Sequence, residues 1–87
     1  MNEELWRLTE IVRSKDWSGW NFFGRTLQSR GNTMSKTGAI ISEDSKGVFI
    51  DVGTGQQKLS FCYISSYEWD GVYLTIYNDM DERLELW

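Results

Sequence analysis

A period of two runs through the last third of the chain, and it constrains the fold more than any other feature of the sequence. Leu59, Phe61 and Tyr63 alternate with Ser60, Cys62 and Ile64, and Val72, Leu74 and Ile76 alternate with Tyr73, Thr75 and Tyr77. Side chains of a strand point to opposite faces in turn, so each segment has one face suited to a core and one suited to solvent. A helix would need apolar residues three and four apart. The two segments are therefore expected to be strands that face each other, joined through Ser65 to Gly71, with Asp70-Gly71 as hairpin chemistry.

The helical spacing occurs once, at the other end. Leu5, Leu8, Ile11 and Val12 form a stripe with spacings of three and four, which predicts a helix over residues 2–15. Asn2 suits the N-cap, Glu3 and Glu4 the first turn, and Arg13 and Lys15 the last turn, so charge complements the helix dipole at both ends. At about four turns such a helix is marginal in water and needs a sheet to pack on. Trp17-Ser-Gly-Trp20 then turns the chain, with both rings expected to cap an end of the core. From Trp20 to Gln28 the strand pattern is blurred by the adjacent Phe22 and Phe23, which a bulge would reconcile.

Ser29 to Lys36 has no periodicity and reads as the longest loop. Thr37 to Glu43 and Gly47 to Val52 read as a hairpin closed by Asp44-Ser-Lys-Gly47, with Val48, Ile50 and Val52 inward. After Tyr77, Asn78 to Glu82 turns the chain into a last strand, Arg83 to Trp87, in which Leu84 and Leu86 share a face. The expected fold is α+β: one N-terminal helix packed on a six-stranded antiparallel meander, as a curved sheet or small barrel, in a single domain over residues 1–87. The expected core comprises Leu5, Leu8, Val12, Ile40, Val48, Ile50, Leu59, Phe61, Leu74, Ile76 and Leu84. This order of elements resembles the Sm-like small barrels in outline, without their residue motifs, and it implies no residue roles.

Several functions are disfavoured by what the chain lacks. With no histidine, the commonest general base and metal ligand is missing, and no Ser-His or Cys-His nucleophile can be built. A lone cysteine, Cys62, supplies neither a zinc site nor an internal disulfide. Asp79, Asp81, Glu82 and Glu85 cluster in sequence, but Arg83 and Leu84 stand where a calcium loop of the EF-hand type needs an oxygen ligand and a glycine. Glu68, Asp70 or Asp51 could in principle form a glycosidase pair, yet 87 residues leave little room for the cleft that raises one pKa. No enzyme, cofactor or metal is expected. No apolar run approaches the roughly 20 residues of a membrane span, and Met-Asn-Glu-Glu is unlike a signal peptide, so a cytoplasmic protein is expected.

Charge and aromatic content point to binding. The net charge is −4, and residues 41–87 hold nine of the 13 carboxylates, which disfavours nucleic acid and favours a basic protein partner. Tyr67, Trp69, Tyr73 and Tyr77 lie among Glu68, Asp70, Asp79, Asp81 and Glu82 in sequence. Rings of this kind give contact area at low entropic cost, while the acids select and steer a basic partner. These nine residues are the candidate partner-binding site of a small acidic interaction protein. An inhibitor or immunity-type protein, of the kind a phage or mobile element carries, would work in this way by occupying its partner. Nothing in the sequence excludes a homo-oligomer. The rival reading is a small single-strand nucleic-acid binder that stacks bases on Trp17 and Trp20 beside the basic stretch from Arg25 to Lys36.

Overall fold

The computed structural model describes residues 3–26, 28–34, 39–44, 47–54 and 57–87. The fold is α+β, with helix α1 (Glu3–Arg13) followed by strands β1 (Trp17–Phe23), β2 (Gln28–Met34), β3 (Ile40–Asp44), β4 (Gly47–Thr54), β5 (Gln57–Cys62), β6 (Ile64–Trp69), β7 (Leu74–Asn78) and β8 (Arg83–Leu86). The helix buries Leu8 and Val12 and keeps Leu5 and Ile11 partly covered, as the stripe requires. It stops two residues short of the expected end. Both the amide and the hydroxyl of Ser14 donate to the carbonyl of Ile11, at 3.1 and 2.7 Å, and this local closure replaces the next helical turn. The expected cap, Asn2, lies outside the described residues.

The strands form two antiparallel sheets rather than one six-stranded meander. One sheet has the order β2-β1-β8-β7-β6 and the other the order β3-β4-β5. Three corrections account for the difference. The polar segment expected as a loop over residues 29–36 is strand through Met34, because β1 offers it a ladder in a single register from Phe23↔Gln28 to Trp17↔Met34. Most of the expected connection over residues 65–71 is β6, paired with β7, and the turn runs from Asp70 to Tyr73, so that Val72, expected in the strand, is exposed in the turn. The two alternating segments are consequently not paired with each other. Between them Tyr63 has φ 60°, and this left-handed residue transfers the chain from one sheet to the other. Its carbonyl accepts the amide of Asp79 at 3.1 Å, which ties the kink to the β7–β8 turn.

Strand β8 sits between β1 and β7, so residues far apart in sequence share one sheet. Its register with both neighbours makes two inward rows: Trp69, Leu74, Leu86, Trp20 and Gly31, then Tyr67, Ile76, Leu84, Phe22 and Ser29. Phe22 and Phe23 fall on opposite faces through plain alternation; the bulge expected there occurs instead in β6, between Ile64 and Ser66. Gly31 is glycine for a packing reason. A Cβ there would lie 2.1 Å from Nε1 of Trp20, whose indole covers that stretch of β2.

The small sheet contributes the row Ile41, Ile50 and Phe61, with Val52 beside it, and Phe61 meets Phe22 edge-on at 6.1 Å between centroids. The core thus lies between the two sheets, and Leu8 and Val12 of α1 are part of it. Leu8, Val12, Ile50, Phe61, Leu74, Ile76 and Leu84 are buried as expected, whereas Leu5 and Leu59 are only partly so. The side chains of Ile40 and Val48 lie outside the described residues. Trp17, Trp20, Phe22, Ala39, Ile41, Val52 and Leu86 complete the buried set. No helix among the described residues is long and apolar enough to cross a membrane.

Candidate partner-binding face

The nine candidate residues do not form one patch. Across the antiparallel ladder directly paired residues share a face. Tyr67 pairs with Ile76 and Trp69 with Leu74, so both rings belong to the inner face and are partly buried against the core. Trp69 also meets Trp17 edge-on, with centroids 5.9 Å apart. Glu68 pairs with Thr75, and Tyr77 with Ser66 and Arg83, which places these residues on the outer face. Tyr73 is also outward and is 57% exposed. Adjacent positions in β6 were divided by the pleat, which proximity in sequence conceals.

The acidic candidates at the strand ends are partly engaged within the fold. One carboxylate oxygen of Asp70 accepts the amides of Val72 and Tyr73 at 2.8 and 2.7 Å, closing the β6–β7 turn, where Gly71 has φ 100°. Those N–H groups, Tyr73 first and then Val72, hold the Asp70 carboxyl below its ordinary value of 3.8. Because the folded pKa is the lower one, the resulting stability is present above the ordinary value and is lost as pH falls through the folded value. Asp70→Asn keeps an acceptor but cannot titrate. Thermal melts from about pH 7 to about pH 2 should therefore show the stability advantage of the wild type over Asp70→Asn shrinking below about pH 4. A constant difference across that range would show that the carboxylate contributes nothing through these bonds.

At the β7–β8 turn, Oδ1 of the buried Asn78 accepts the amides of Met80 and Glu82, both at 3.0 Å, and its Nδ2 donates to Glu82 Oε1 at 2.9 Å. Asp81, with φ 58°, pairs with Arg25 at 3.0 Å, both side chains being exposed. Asp79 is exposed on the same turn. The Asp81–Arg25 pair joins the basic and acidic halves of the chain. The two halves also interleave within the five-stranded sheet, where β1 lies beside β8.

The rival site is divided in a similar way. Trp17 and Trp20 are 1% and 8% exposed, so neither offers a face on which a base could stack. The Trp17 indole N–H donates to the carbonyl of Val12 at 3.1 Å, and the Lys15 ammonium lies 4.8 Å from the ring centroid. Both rings serve the core. Of the basic stretch, Arg30 is exposed on β2 and Arg25 is paired, while Lys36 lies outside the described residues.

What the fold does assemble is the outer face of the five-stranded sheet. Arg83 and Glu85 point outward from β8 opposite to Leu84 and Leu86, and Trp87 follows just beyond the strand. Arg83 is flanked by Phe23 and Tyr77, and Glu85 by Asn21 and Thr75. Trp87 lies over Gly19, where a Cβ would come within 2.8 Å of the indole. The two backbones exchange hydrogen bonds of 3.2 and 3.3 Å. The low middle row, Arg30, Asn21, Glu85, Thr75 and Glu68, crosses all five strands. It forms a polar trough between Phe23, Arg83 and Tyr77 on one side and Trp87 and Tyr73 on the other. Asn21, Thr75 and Trp87 were not singled out from sequence, and Glu85 only as one of the clustered carboxylates weighed for calcium, although the positions alternating with Leu84 and Leu86 carried the signal. Among the described residues no three His, Cys, Asp or Glu side chains converge as metal ligands would. No family model, no curated protein and no solved structure matches the chain.

Proposed function

We propose that this chain is a small protein-interaction module of the inhibitor or immunity type, which occupies a basic partner with the outer face of its five-stranded sheet. The observation that carries the reading is the composition of that face. Tyr73, Tyr77 and Trp87 surround the carboxylates of Glu68 and Glu85, while the opposite face of the same sheet is committed to the core. Desolvated rings supply the centre of such an interface, and acids at its margin, including Asp79 and Asp81, speed encounter with a basic surface. Trp69 and Tyr67 support the face from behind and make no contact with the partner.

The test is capture from extract of the source cell, followed by titration of the purified partner against three forms of the protein. Tyr73→Ala should weaken binding by roughly tenfold or more, as truncation of a central aromatic does, with little change in melting temperature. Joint Asp79→Asn and Asp81→Asn should mainly slow association and flatten its salt dependence. Failure to capture a basic protein, or a partner indifferent to Tyr73→Ala, sinks the reading.

A further inference from the structure

We infer that the hollow between Tyr73 and Trp87 receives the side chain of an arginine or lysine. The inference rests on the proposed function and names the chemistry of its centre. The hollow has a volume of about 410 Å³ and is lined by Asn21, Tyr73, Thr75, Glu85 and Trp87. Two aromatic rings and a carboxylate line it, and both kinds of group attract a cation, a ring through its negative face and a carboxylate directly. Asn21 and Thr75 add acceptors for the N–H groups of an ammonium or guanidinium.

The same sheet face already holds one cation in this manner. The guanidinium of Arg83 lies 4.4 Å from the centroid of Phe23, and its Nε is 3.4 Å from Oε2 of Glu85. Glu85 stands between Arg83 and the hollow, so ring-plus-carboxylate composition is repeated on its other side. The hollow is also built rather than incidental. The backbone of Trp87 is held by its bonds to Gly19, and the absence of a side chain at Gly19 lets the indole lie close against β1.

The probe is N-acetyl-arginine amide, with the neutral N-acetyl-citrulline amide as its control, titrated into the isotope-labelled full chain and followed by NMR. Saturable shifts should appear at the Trp87 indole N–H and the Asn21 side-chain amide with arginine and be absent with citrulline. Glu85→Gln and Tyr73→Ala should each weaken the probe roughly threefold to thirtyfold, the range that one cation contact spans. Arg83→Gln removes the competing guanidinium from Glu85 and should tighten it. Equal shifts with citrulline, indifference to Glu85→Gln, or shifts centred on the Asp79–Glu82 turn would overturn the assignment. A basic partner bound through this face while the probe leaves the hollow untouched overturns this inference alone. A probe seated in the hollow with no basic protein captured overturns the functional reading alone.

Discussion

Trp17→Ala is expected to remove roughly 3–5 kcal/mol of stability, the largest loss from any single substitution considered for this chain. A domain of this size has only about 5–15 kcal/mol in total, so the variant should melt at least about 10 °C lower. The cause is the position of Trp17 where helix, sheet and β6 converge. Its ring is 1% exposed and meets Trp69, and its indole N–H satisfies the carbonyl of Val12 near the end of α1. Truncation leaves a cavity and an unpaired carbonyl together. Trp17→Phe separates the two, because it keeps an aromatic ring and loses only the N–H; its cost should be about 1–3 kcal/mol. Should Trp17→Ala melt within a few degrees of the wild type, the junction of α1 and β1 would not be part of the core.

Leu74→Ala should cost roughly 2–5 kcal/mol. Leu74 is 0% exposed and stands in the inward row between Trp69 and Leu86, so truncation leaves a cavity within the core. Its neighbours in sequence supply the control. Tyr73 and Thr75 point outward, and Thr75→Ala should change stability by no more than about 0.5 kcal/mol. Chemical denaturation of the two variants side by side tests the face assignment directly. Equal losses would mean that β7 does not alternate between core and trough. The same contrast protects the binding experiments, since Tyr73→Ala must leave the fold intact if a loss of binding is to report on the face.

The charge asymmetry shows how a correct observation about residues can mislead about a surface. The excess of carboxylates in residues 41–87 is real, but β8 is inserted between β1 and β7, and Arg25 pairs with Asp81. Charges that segregate along the chain become neighbours in the sheet. The trough consequently runs from a cation at Arg30 to an acid at Glu68 instead of lying on a uniformly acidic face. Steering by net charge still operates, because long-range potential depends on the sum, whereas recognition depends on the local arrangement.

What the residues determine by themselves is local. The spacing of Leu5, Leu8 and Val12 demands a helix with that buried side, and the alternation in β5, β7 and β8 places Phe61, Leu74, Ile76, Leu84 and Leu86 in the core. Asp70-Gly71 and Asn78 to Glu82 are turns because their side chains and backbone freedom close them locally. Pairing is different in kind, because a strand is defined by its partner and the polar run in β2 becomes one only when β1 lies beside it. One left-handed residue, Tyr63, separates two sheets and shifts the phase: the alternation of Leu59 and Phe61 runs on to Tyr63 in the sequence, yet Tyr63 is exposed and Ile64 packs against the core. The candidate face follows the same division. Its alternating residues are legible within each strand, but the neighbours that make a trough of Asn21, Glu85 and Thr75, and a hollow of Tyr73 and Trp87, come from three strands. Only long-range register brings them together.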